Sequence, residues 1–145
     1  MAHVQAPPAP PPVLPRGVAQ ENGLQVKTIL AARSVSAAFP EILDIGGVRS
    51  DPLKWHPHGL AIDVMIPNSR SAAGIALGDS VVAYVLENAE RFGLDHVIWR
   101  QTIYRPGGSS STMSNRGGDT ANHYDHVHVA TDGGGYPREG QTYLR

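Results

Sequence analysis

Two short windows hold the residues that could do chemistry. HPHGLAIDV (His56–Val64) and HYDHVHV (His123–Val129) contain five of the seven histidines of the chain. The sequence has no cysteine, so a metal site here must be built from His, Asp, Glu and water. Read as a strand, LAIDVMI (60–66) puts Ala61, Asp63 and Met65 on one face. Leu60, Ile62 and Val64 then face the core. The same alternation in DHVHVAT (125–131) puts His126 and His128 together, with Val127 and Val129 opposite. His56 reaches the same place from the loop before the first strand. His56, Asp63 and His128 offer two nitrogens and one carboxylate oxygen. Three protein ligands with an open fourth position is the pattern of catalytic zinc, with water completing the shell. Zinc lowers the pKa of such a water towards ~7 and polarises a carbonyl.

His126 is left over on that face as an acid/base partner or electrostatic stabiliser. Asp125 is the one carboxylate of its window and a candidate general base. Alternation turns it to the face opposite His126 unless the start of the strand reorients it. His58 is taken as a non-ligand, and Gly59 as a tight turn behind the metal or an ordinary turn glycine. His123 is a cleft-rim or loop residue, His96 beside Asp95 a structural one, and Trp99 a core residue rather than a substrate wall. A lone histidine carries little. The joint pattern of H-x6-D on a strand and a later D-H-x-H carries the expectation of a metal.

The elements that must position these residues follow from patterning. LQVKTILAARSVSAAF (24–39) spaces Val26, Ile29, Leu30, Val35 and Phe39 as an amphipathic helix ending at Pro40. EILDIGGVRSD (41–51) reads as a short strand into a turn. Asp79 is an expected N-cap of a helix over 79–92, with Gly93 just past its end. DHVIWRQTIY (95–104) reads as a strand with a bulge, and 106–122 as a long polar loop of the kind that is more often functional than decorative. The expected fold is α+β: a small, mainly antiparallel sheet, two or more helices on one face and the metal site on the other.

The 145 residues fit one domain, with 41% hydrophobic residues for a core. A net charge of −1 offers no basic stripe for nucleic acid. No apolar run approaches the ~18 residues of a membrane span. The proline-rich segment over 7–15 prefers polyproline II and reads as a spacer. The expected division is a flexible tail over 1–22, including His3, and a single domain over 23–145. Such a spacer suits a tethered, extracytoplasmic (secreted or wall-associated) protein, and a simple inert tail is the other reading.

His56, Gly59, Ala61 and Asp63, followed by Asp125–His128, resemble the zinc peptidase superfamily of lysostaphin-type endopeptidases, D-alanyl-D-alanine carboxypeptidases and the hedgehog signalling domain. The layout is similar to an actinobacterial extracellular group within it, over roughly residues 24–132. The resemblance implies zinc ligands at His56, Asp63 and His128, and a catalytic role for His126. It puts Asp125 where the carboxypeptidase branch has its general-base Glu, and Arg49 where an Arg binds the substrate's terminal carboxylate. A guanidinium fork suits that task. Three positions depart from the pattern. Lys54 stands where Ser is usual, Val48 replaces Tyr, and Asp125 is one methylene shorter than Glu.

Three functions compete. The first is a zinc peptidase or amidase acting on cell-wall (peptidoglycan) peptides. The second, favoured by Lys54 and Asp125, is an inactive zinc-binding module that recognises wall material or a protein partner. The third is a vestigial site whose histidines bond within the structure. Nothing in the sequence encodes an oligomeric state.

Overall fold

The computed structural model describes residues 12–145. Residues 1–11, with His3 and most of the proline tract, lie outside the described part. The chain forms α1 (Val26–Ala38), β1 (Ile45–Gly46), β2 (Ala61–Met65), α2 (Ala72–Glu87) and α3 (Ala89–Phe92). Four strands follow: β3 (Leu94–Trp99), β4 (Thr102–Tyr104), β5 (Ser110–Thr112) and β6 (His126–Thr131). The six strands make one open antiparallel sheet in the order β1-β2-β6-β3-β4-β5. With three helices, this is an α+β fold.

β2 and β6 lie side by side at the centre, with Asp63 opposite His128 and Met65 opposite His126. Alternation does what the sequence suggests. Ile62, Val64, Val127 and Val129 are fully buried in one cluster with Ile29 and Val35 of α1 and Val81 and Val85 of α2. Helices therefore cover the apolar face, where dispersion and the hydrophobic effect hold the layers together. Asp63, His126 and His128 occupy the other face.

The second helix begins earlier than Asp79. Ser71 caps it, its Oγ accepting from the Gly74 amide at 3.0 Å. Asp79 sits mid-helix and instead accepts from the Trp99 indole Nε1–H at 3.0 Å. Gly74 and Gly78 make AAGIALG look like a poor helix. A side chain at Gly78 would overlap the Trp99 ring, so its absence is what lets α2 close on β3. Trp99 is buried, as expected of a core residue. Gly93 ends α3 in the left-handed conformation, φ 58°.

Residues 95–104 are a hairpin rather than one bulged strand. Arg100 and Gln101 form its two-residue turn with φ of 50° and 63°. Such a turn favours Asn-Gly. Here tertiary hydrogen bonds hold it, from Arg100 N–H to His123 O (2.7 Å) and from Gln101 N–H to Asn122 O (2.8 Å). The long polar segment likewise contains a strand, β5, which extends the sheet edge.

The domain starts before residue 23. Leu14 is buried in the core cluster, its N–H donates to Tyr143 O (2.7 Å), and its carbonyl accepts from Arg33 Nη1 (3.1 Å). Ala19 is buried beside Ile45. Proline composition marks this stretch as a spacer. Leu14 nevertheless finds partners in α1 and the C-terminal segment, and Ala19 in β1, all distant in sequence.

Candidate metal centre and its cleft

His56 arrives on a tight turn. Leu60 N–H donates to Trp55 O (2.8 Å) and Gly59 N–H to His56 O (3.2 Å). Gly59 has φ 71°, and a side chain there would collide with the Gly23 carbonyl, so the glycine is required. His56 Nδ1 lies 3.0 Å from Gly47 O. That bond places the proton on Nδ1 and leaves the Nε2 lone pair facing inward. His58, by contrast, is exposed. Its backbone is engaged, the N–H by Lys54 O and the carbonyl by Gln25 and Tyr136.

Three inward atoms form a compact triangle. His56 Nε2 is 3.3 Å from His128 Nδ1 and 3.2 Å from Asp63 Oδ1, and His128 Nδ1 is 3.5 Å from that same oxygen. Tetrahedral zinc bonds of about 2.0–2.2 Å separate neighbouring ligand atoms by about 3.3–3.5 Å. The triangle therefore fits such an ion without rearrangement. All three residues are buried, and they form a group able to hold a metal ion. Asp63 Oδ1 has no hydrogen-bond partner of good geometry, an atom awaiting one. Its other oxygen accepts from Arg49 Nε at 3.0 Å.

Electrostatics favours the forms a cation needs. Burial pushes His128 down to about 4, outweighing the opposite pull of the Asp63 carboxylate beside it. Burial would raise Asp63, but the His128 and His56 rings against it, with His126 nearby, outweigh this and hold the carboxyl well below the usual range. At neutral pH the set presents a neutral imidazole at His128 and a carboxylate at Asp63, as metal binding requires.

His126 stands beside the triangle. Its Nε2 is 3.4 Å from Asp63 Oδ1 and lacks a hydrogen-bond partner, while Nδ1 lies 2.7 Å from Asp125 Oδ1. Asp125 precedes β6, so strand alternation does not bind it, and its carboxylate turns towards His126. Its second oxygen accepts from Thr120 Oγ at 2.7 Å. Burial would raise its pKa, but the bonds from His126 and Thr120 outweigh this and lower it. Arg49 is shared between Asp63 and Asp51, donating to Asp51 Oδ2 at 3.0 Å, and is half exposed.

The triangle and His126 line an open cleft of about 990 Å³, roomy enough for several residues of a peptide. Met65, Ile98 and Ile103 give it apolar surface, and Arg49, Arg105 and Arg116 give it positive charge. Sequence reasoning did not place Arg105 or Arg116 here. It read His96 as structural, yet His96 lines the cleft, stacks on His128 (5.2 Å between rings) and bonds Asp95 at 2.7 Å. Alternation in LDHVIW carried that signal, since Val97 and Trp99 face the core and so His96 and Ile98 face away. His123, read as a rim residue, is buried in the cleft wall.

Residues 20–124 match a family described as VldE, C-terminal domain. The chain belongs to this family. The match takes in His56 and Asp63 and stops just before Asp125, so the D-H-x-H end of the site lies beyond it. No curated protein and no solved structure matches the chain.

Proposed function

We propose that this member of the VldE C-terminal domain family is a zinc-dependent peptidase or amidase. The observation that carries the reading is the His56–Asp63–His128 triangle, with edges of 3.2–3.5 Å, on the wall of an open cleft. Bound there, zinc would activate water and polarise a substrate carbonyl. The remaining roles belong to the chain. Gly47 fixes the tautomer of His56. Arg49 holds one oxygen of Asp63 and leaves the other turned towards His56 and His128, where it would serve as a ligand. Asp125 accepts the His126 Nδ1 proton in a hydrogen bond, which leaves Nε2 free to take a proton from the attacking water and return it to the leaving amine. The likeness to the lysostaphin and D-alanyl-D-alanine carboxypeptidase superfamily supplies the substrate class, peptides of the cell wall, and with it an extracytoplasmic location.

A second reading is a zinc-holding recognition module without turnover. It draws on Asp125 having both oxygens occupied and Arg49 being shared between two carboxylates. Metal content decides the shared premise. Elemental analysis should find about one zinc per chain, lost in His128→Ala. A wild-type protein that stays metal-free after zinc addition and dialysis would overturn both readings. With zinc bound, release of amines from wall peptides that disappears in His126→Ala supports the peptidase. Zinc without such release leaves the recognition module.

A further inference from the structure

Ion pairing divides the charged side chains that line the cleft into two groups. Arg49 is taken by Asp51 and Asp63, each at 3.0 Å, and Asp95 is bonded to His96 at 2.7 Å. Arg105 and Arg116 are exposed and line the same cleft, yet neither pairs with a carboxylate among the described residues.

Both are fixed by contacts that leave their guanidinium groups available. Arg105 follows Ile103 by two residues at the end of β4, so alternation puts both on the cleft face of the sheet. A tight turn holds its backbone, its N–H donating to Ser109 O (2.9 Å) and its carbonyl accepting from Gly108 N–H (3.2 Å). Its Nη1 donates to Ser111 Oγ at 3.2 Å. That acceptor is neutral and leaves most of the five N–H donors of the fork open. Arg116 is anchored through its main chain, its N–H donating to Asn122 Oδ1 at 2.7 Å. Asn122 is itself buried, and its carbonyl accepts from Gln101 N–H (2.8 Å) at the β3–β4 turn. The two arginines therefore flank β4, Arg105 past its end and Arg116 beyond its start.

Sheet order places them relative to the metal site. β2 and β6 stand between β1, which Arg49 follows, and β4, which Arg105 ends. Arg105 is thus on the opposite side of the ligand strands from Arg49. β4 is two strands from β6, about 10 Å at the usual strand spacing, or roughly three residues of an extended peptide. Ile98 and Ile103, paired across β3 and β4, lay an apolar strip along the way. Two guanidinium groups without carboxylates, flanking an apolar strip, complement a chain that carries a carboxylate of its own.

We infer that Arg105 and Arg116 are specificity-determining residues that select peptides bearing an acidic side chain, held on the β4 side of the cleft. The inference rests on the peptidase reading and deepens it, naming the charge of the substrate at that site.

Two hexapeptides test it, both acetylated and amidated, one alternating alanine with glutamate and the other alanine with glutamine. Side-chain carboxylates are then the one difference between them. Calorimetry is run on zinc-loaded His126→Ala protein, which keeps the peptides uncut, with and without the pair Arg105→Gln and Arg116→Gln. The glutamate peptide should bind about tenfold more tightly than the glutamine peptide, as for one charge-assisted hydrogen bond. The paired substitution should make the two affinities equal at unchanged zinc content and unchanged circular dichroism, since both side chains are exposed. Equal binding of the two peptides before the substitution would overturn the inference. So would a glutamate preference that survives it, which would put the carboxylate on the metal or on Arg49, or binding of neither peptide. The peptidase premise fails separately, as no hydrolysis by zinc-loaded wild type. A glutamate preference that depends on the two arginines in such a protein would uphold the selection and refute the peptidase.

Discussion

The two faces of the β2–β6 pair are equally buried and chemically opposite. On one, Ile62, Val64, Val127 and Val129 are wholly enclosed by apolar neighbours from α1 and α2. On the other, Asp63, His126 and His128 are 8%, 3% and 5% exposed, and two of their inward atoms have no hydrogen-bond partner. The first face gains free energy from burial. The second spends it, because polar groups removed from water without partners destabilise the fold. The contrast teaches that the polar face is arranged for something that binds, and that the apolar face supplies the stability that makes this possible.

The largest test breaks the apolar face. Val127→Asp would bury an unpaired carboxylate at a fully enclosed position, at a cost of several kcal/mol, and circular dichroism should show an unfolded chain. Next, zinc should relieve the polar face. At a free concentration about a thousand times the dissociation constant it adds about 4 kcal/mol, or roughly 15 °C in Tm. Thermal unfolding should show this gain in wild type and His58→Ala, and none in His56→Ala, Asp63→Ala or His128→Ala.

Acid sharpens the contrast further in the metal-free protein. Burial lowers His128 to about 4 and His123 to about 3, the latter also under the influence of His126. The unfolded chain protonates both near 6.5, so between about pH 6.5 and 4 it binds more protons than the native one. Stability should fall with acidification across that window by roughly 1.4 kcal/mol per pH unit for each histidine kept neutral. Urea unfolding at pH 7 and pH 5 measures the slope, which His123→Asn should reduce. Asp63, held below its unfolded value, adds a further loss only below about pH 4. The smallest effect expected is that of Asp125→Asn, which keeps the fold and the zinc but loosens His126. Turnover should drop about 10- to 100-fold, read as kcat at unchanged zinc content.

Much of this was legible beforehand because strand alternation is strict. His126 and His128 share a face through a period of two, and Asp63 joins them because β2 and β6 turn their apolar residues to the same core. Alternation could not handle Asp125, which lies outside the strand, or the start of α2, where glycines lower helix propensity and only close packing explains them, of Gly74 on the Asn68 carbonyl and of Gly78 on Trp99. Local composition misread residues 12–22, because the partners of Leu14 and Ala19 come from elsewhere in the sequence.

By itself the sequence determined the α+β class and the face that carries Asp63, His126 and His128, since each follows from period and residue type. Only the tertiary structure decided that Arg49 braces Asp63, that Asp125 orients His126, and that the β3–β4 turn clamps His123 into the cleft wall. These are contacts between segments distant in sequence or leaving regular structure. Their geometry is set by how the layers pack, which no local pattern encodes.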